Sequence, residues 1–167
     1  PTPTIGGIGI IKDLNHTLTK NLKEIGSYIF IIGKTLGHLH QSEFLREVAD
    51  IKDGPPPEIN LFNEKNNGLT VLKLIEEGFI KSAHDISTGG LMVAITKMCI
   101  SGNKGINIKK PDSLINYFEY FFGEDQGRYL IEIEKKDFNK VKSILEKNSV
   151  YFNEIGIIIE KKIILKN

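Results

Sequence analysis

The sequence predicts an α+β fold, a mixed β-sheet covered by helices, and three observations carry that expectation. Short apolar runs rich in isoleucine recur along the chain, with the length and composition of buried strands. Between them lie segments with apolar residues at helical spacing, such as Phe138, Val141, Ile144 and Leu145. The two kinds of segment do not alternate strictly, so a regular parallel βα arrangement is not expected. A length of 167 residues suits one domain, or one domain with an appendage, and 40% hydrophobic with 26% charged residues is ordinary for a folded protein.

Taken in order, Ile5–Ile11 reads as a glycine-containing strand, followed by a polar loop through Lys23. Residues 27–34 (SYIFIIGK) form an almost continuous apolar run and predict a buried strand. That run ends in Gly33-Lys34-Thr35, like the tail of a phosphate loop. The full pattern needs a glycine five residues earlier, and that position is Tyr28, so the loop reading fails. A helix is expected over 40–49. His38 and His40 form an H-x-H pair with no third metal ligand at suitable spacing. Gly54-Pro55-Pro56-Pro57 is a stiff connector. Helical segments should follow from 58 to 77, interrupted near Gly68, with Asn60 as a cap and Gly78 as the stop.

A short strand over 79–84 leads into Ser82–Leu91 (SAHDISTGGL), the polar stretch that organises the chain. An apolar helix from Leu91 to Ile100 leaves it. Two readings of this turn stand side by side. Its paired glycines and free helix N–H groups suit an anion, with Asp85 and Ser87 facing one ligand. Alternatively Ser87 or Thr88 caps the helix and the glycines only turn the chain. Beyond it we expect an edge strand over 105–109. A helix starting at Pro111 should carry Leu114, Ile115, Phe118 and Phe122 into the core. Residues 130–134 (LIEIE) alternate, which predicts a strand with one face in solvent. An amphipathic helix near 138–146 and a terminal hairpin over 155–165 complete the chain.

Composition excludes several function classes. A net charge of +1 argues against a nucleic-acid surface. No apolar run is long enough to span a membrane and no secretory signal opens the sequence, so a cytoplasmic protein without a membrane partner is expected. The single cysteine, Cys99, allows no internal disulfide. The chain opens on Pro1-Thr2-Pro3 without methionine, and a piece of something longer is expected. Only two arginines, Arg46 and Arg128, occur among many lysines; each is a candidate for a forked, planar donor or for an ordinary salt bridge.

Five segments in one order, PTPTIGGIGII, QSEFLREV, GPPPEINL, SAHDISTGGL and GEDQGRYL, together resemble the C-terminal part of the phosphoribosylformylglycinamidine synthase family. The resemblance covers essentially the whole chain. It implies a domain like the C-terminal domain of aminoimidazole ribonucleotide synthetase. Residues 1–14 would then be the last strand of a preceding domain, and 15–167 the synthetase-type domain itself. The family is similar in architecture to a doubled synthetase, and this chain looks like the C-terminal domain of the second half. The implied reaction is ATP-dependent amidation of formylglycinamide ribonucleotide, with Mg2+, and with ammonia from a glutaminase domain or subunit. The implied partners are therefore upstream domains, the glutaminase and small-molecule substrates. No catalytic residue and no metal ligand is expected within this chain, and the fragment alone should be inactive.

By the same resemblance, Asp85, Ser87, Gly89 and Gly90 match one family turn. Glu124, Asp125, Gln126 and Arg128 match another, and both should face one nucleotide or phosphate cleft. Thr88 stands where relatives usually have Asp, His40 where they usually have Gly, and Lys97 where many have Glu. A structural module that braces the synthetase, or a domain of another synthetase or kinase of the same superfamily, are the alternatives.

Overall fold

A computed structural model describes residues 4–11, 13–109 and 115–166. Six strands form one sheet: β1 (Tyr28–Ile32), β2 (Ile80–Ile86), β3 (Gly105–Ile108), β4 (Arg128–Ile133), β5 (Phe152–Ile159) and β6 (Ile163–Leu165). Their order is β2-β4-β1-β5-β3-β6, antiparallel throughout except for the parallel β3–β6 pair, so the sheet is mixed as expected. The helices are α1 (Glu43–Val48), α2 (Leu61–Glu76), α3 (Gly90–Gly102), α4 (Tyr117–Phe122) and α5 (Phe138–Lys147).

The uninterrupted apolar run of β1 follows from its central place between β4 and β5. Successive strand side chains point to opposite faces, and both faces are covered. Ile29 and Ile31 join a core with Leu91, Ile95 and Met98 of α3 and Phe121 of α4. Phe30 and Ile32 join a second core with Val71 and Leu74 of α2 and Val141 and Leu145 of α5. Each such side chain contributes about 1.5–3 kcal/mol when fully buried. The molecule is a helix–sheet–helix sandwich with β1 and β4 at its centre.

Several elements depart from expectation, each for a physical reason. β4 has no solvent-facing side: Ile131 and Ile133 meet α2 and α5, and Glu132, on the opposite face with Leu130, is fully buried against residues 23–24 and Ser82. β3 is no edge strand, and no terminal hairpin forms, since β3 lies between β5 and β6. α2 runs unbroken through Gly68, whose open side faces the Tyr129 hydroxyl. α4 starts at Tyr117 with Asn116 in a capping box, while Pro111–Leu114 lie outside the described residues. Its core residues are Tyr120 and Phe121, whereas Phe118 stays on the surface, stacked on Phe44. α1 begins only at Glu43, where the buried Ser42 caps it. The described part of 4–11 forms no strand, and Ile5, Ile8 and Ile10 are almost fully exposed, because none of these residues meets a sheet neighbour here.

The chain approaches β1 through residues 17–24, which run along β2, with the Ala83 N–H donating to the Thr19 carbonyl at 3.3 Å. Glu132 fixes this strap. Its carboxylate accepts the N–H groups of Lys23 and Glu24 at 2.8 and 2.9 Å, and the Ser82 hydroxyl at 2.8 Å. No motif announced Glu132; a lone acid at an inward position of an apolar strand is its only sequence signal.

Candidate functional site

Antiparallel pairing brings the polar stretches together. Ile86, at the end of β2, lies opposite Arg128, at the start of β4, and Ile32, at the end of β1, lies opposite Tyr129. The turn after β2, the segment before β4 and the loop after β1 therefore share one end of the sheet. Gly90 shows how closely they meet. A side-chain carbon there, at φ +67°, would lie 2.7 Å from the Gly123 carbonyl oxygen, so the glycine permits the contact.

The helix N-terminus at this turn is satisfied from within the molecule. Neither Ser87 nor Thr88 caps α3; the N-cap is Gly89, at φ +84° and without a side-chain bond of its own. Instead Glu124 Oε1 accepts the Gly89 N–H and the Glu43 N–H of α1, both at 2.8 Å. The carboxylate thus occupies the position that the anion reading reserved for a ligand, where the helix dipole favours negative charge.

The rest of the segment is anchored as firmly. Asp125 accepts the N–H groups of Leu36, Gly37 and His38 at 2.9, 3.0 and 3.2 Å, folding the loop after β1 around its carboxylate. Arg128 is buried and uses its whole fork on the chain. It donates to the Asp125 carbonyl (3.0 Å), the Gly123 carbonyl (2.7 Å) and the Thr35 hydroxyl (3.1 Å), and lies 3.7 Å from the Asp125 carboxylate. Burial lowers the pKa of its guanidinium, and the nearby charge of Asp125 and the groups of Tyr120 and Glu124 oppose that shift. Arg46, by contrast, sits on the surface and pairs with Glu43 and Glu47.

Gln126 is the one exposed side chain between Gly123 and Arg128. Beside it opens a cleft of about 750 Å³, a volume typical of small-molecule sites. Lys34, Gln126 and Gly127 contribute to one wall, and Asn60, which caps α2, with Asn63 and Asn67 of that helix to another. Of the sequence-derived candidates, Asp125 and Gln126 line this cleft; Asp85, Ser87, Gly89, Gly90, Glu124 and Arg128 do not. Asp85 is exposed beside His84, whose Nδ1 lies 3.0 Å from its carboxylate. Partial burial would raise the Asp85 pKa, but hydrogen bonds from Ser87 and His84 outweigh it and hold it below the ordinary range. Asn60 was expected only as a helix cap, which it is, its Oδ1 accepting the Asn63 N–H at 3.0 Å; Asn63 and Asn67 went unnoticed in the sequence, since only their spacing on one helix end marks them.

The donor set does not fit a magnesium ion. The Glu124 and Asp125 carboxylates are committed to backbone N–H groups, and no cluster of three or more His, Cys, Asp or Glu side chains suits a metal among the described residues. The histidine pair holds the proline connector instead: His38 Nε2 lies 3.0 Å from the Pro55 carbonyl, and the His40 ring fills the space beside Gly54. The Cys99 thiol is pushed up to about 11 by burial, which leaves it unreactive. No helix among the described residues is long and apolar enough to cross a membrane.

Comparison with known proteins places this geometry. Residues 24–166 match the family described as AIR synthase related protein, C-terminal domain. The phosphoribosylformylglycinamidine synthase subunit PurL of Pelagibacter ubique (strain HTCC1062) is 58% identical over 165 residues, 99% of this chain and 23% of that relative. The chain thus spans under a quarter of the length of the curated relatives it matches. Among solved structures, T. maritima PurL complexed with FGAR superposes with a TM-score of 0.72 at 20% identity, covering 92% of this chain and 28% of that one. E. coli HypE, a hydrogenase maturation protein, superposes with a TM-score of 0.64 at 14% identity, covering 90% and 49%. Both structures share the fold. With residues 24–166 of its 167 matched to that domain, the chain belongs to the AIR synthase related proteins, as their C-terminal domain.

Proposed function

We propose that this chain is the C-terminal domain of an ATP-dependent carbon–nitrogen ligase, one that converts formylglycinamide ribonucleotide and ammonia to formylglycinamidine ribonucleotide. The observation that carries the proposal is the 58% identity to the Pelagibacter ubique subunit along essentially the whole chain. On this reading residues 1–14 belong to the preceding domain and 15–167 to the synthetase-type domain, the protein is cytoplasmic, and ammonia comes from a glutaminase domain or subunit.

The chemistry fits a division of labour. Phosphoryl transfer to an amide oxygen depends on positioning and on neutralising charge with magnesium and cationic groups. Among its described residues this domain has no metal ligand set, and Lys34 is the only lysine lining its cleft. Its part is to supply one wall of the cleft, with Gln126 presented to the ligand and Asp125 folding the loop behind it. The phosphate and metal contacts fall to the rest of the polypeptide. The exposed turn at Asp85 and Ser87 would face that remainder.

The bracing alternative has one observation in its favour: Glu124, Asp125 and Arg128 all spend their polar atoms internally. The two readings separate in the longer polypeptide. Gln126→Ala should weaken ADP or formylglycinamide ribonucleotide binding if the cleft takes a ligand. Unchanged affinity for both would leave only the bracing role.

A further inference from the structure

We propose that Asn67 is a positioning residue for Gln126. It acts by fixing the Gly127 peptide at the floor of the cleft, and the proposal rests on the reading of that cleft as a ligand site.

Asn67 is a polar residue in the middle of α2, only 6% exposed. Such a group is costly to bury unless it is bonded, and an apolar residue would serve packing better. Its Nδ2 donates to the Gly127 carbonyl at 2.9 Å. Gly127 adopts φ +65°, a left-handed conformation that glycine reaches without strain and that a residue with a side chain would not. Three segments converge there. A side-chain carbon on Gly33 would lie 2.8 Å from the Gly127 oxygen, 3.0 Å from Arg128 Cγ and 3.1 Å from Asn67 Nδ2. A side-chain carbon on Gly127 would in turn lie 3.2 Å from Glu64 Cγ, one helical turn before Asn67.

Gln126 therefore sits between two anchors. On one side the Asp125 carboxylate holds three N–H groups of the loop after β1, and on the other Asn67 holds the Gly127 carbonyl. Gln126 itself makes one weak bond, to the Glu124 carbonyl at 3.3 Å, so its placement depends on those anchors. Asn67 also links α2, and with it the asparagine wall, to the loop carrying Gln126.

The test is Asn67→Asp, nearly the same size, which replaces the donor by an acceptor facing a carbonyl. Asn67→Gln, which keeps the donor on a longer stem, is the conservative variant. Both are made in the full-length polypeptide. We expect Asn67→Asp to raise the KM for ATP or for formylglycinamide ribonucleotide about tenfold, with kcat within about twofold, and Asn67→Gln to restore part of it. A fall in kcat alone, in proportion to lost folded protein, would overturn the proposal. Hydrogen exchange of the amides at 126–128 gives a readout independent of turnover. Exchange at least tenfold faster in Asn67→Asp, with the β1 amides unchanged, supports the positioning role; equal exchange refutes it. A wild-type polypeptide without ligase activity would defeat the functional reading, and the exchange result would still decide whether Asn67 holds the loop.

Discussion

Replacing Arg128 by alanine should destabilise the domain more than any other single change at this end of the sheet. The substitution removes three hydrogen bonds, to the Asp125 and Gly123 carbonyls and the Thr35 hydroxyl, and the 3.7 Å ion pair with the Asp125 carboxylate. It also leaves a void where the largest fully buried side chain stood. Removing one member of a buried charged pair costs about 3–5 kcal/mol. Asp125 keeps its three N–H donors, so its charge is not stranded, which sets the expected loss near the lower end, about 3 kcal/mol. For a domain of this size each kcal/mol shifts Tm by about 2–4 °C, giving a fall of about 6–12 °C. Arg128→Lys should recover less than half of it, because a single ammonium cannot reach three diverging acceptors as the planar fork does. Thermal melts followed by circular dichroism measure both. A fall under about 2 °C for the alanine variant, or a lysine variant as stable as wild type, would show that the fork is not the keystone of this loop cluster.

Other predictions follow from the same contacts. Glu132→Ala strips the acceptor from two strap N–H groups and from Ser82; we expect about 2 kcal/mol of destabilisation in urea melts. Exchange should quicken first at residues 19–24, and unaltered protection there would contradict the strap assignment. Glu124→Ala removes the remote cap shared by α3 and α1 and should cost about 0.5–2 kcal/mol, with Glu124→Gln retaining part of it. Equal stability of the alanine variant in the same melts would rule out the capping role. The Asp85 pKa is lowered on folding, so its contribution is present above the unfolded value of about 4 and is lost as pH falls through the folded value. Asp85→Asn should accordingly lower Tm at pH 7, where the wild-type contribution is fully present, and converge on wild type as the pH falls below about 4; a profile parallel to wild type would exclude this linkage.

Much of this architecture is legible in the sequence, and the failures share a cause. β1, the helix over 138–147 and the strand into Asp85 could be read because their side-chain period matches the surfaces they meet. The edge and hairpin assignments for β3, β5 and β6 failed because local pattern does not encode strand order. The alternation in β4 looked like a half-solvated strand, since nothing local says that a glutamate will be buried against a strap more than a hundred residues away in sequence. The same limit governs the site. Glycine spacing located the turn at Gly89 and Gly90, and the GEDQGR stretch marked itself by its polarity between apolar segments. What these residues bind could not be read. The ligand expected at the α3 N-terminus is the chain's own Glu124, and the cleft wall comes from Asn60, Asn63 and Asn67, whose type and spacing are common on solvated helices.

The account stands or falls on phosphate release. With ATP, magnesium, ammonium and formylglycinamide ribonucleotide, the 167-residue chain alone should release no substrate-dependent phosphate. The same residues joined to the remaining polypeptide, as in the longer relatives, should do so with stoichiometric formation of the amidine. Turnover by the isolated chain, or none by the joined protein with every component present, would contradict the assignment of this domain as one wall of a synthetase site completed elsewhere.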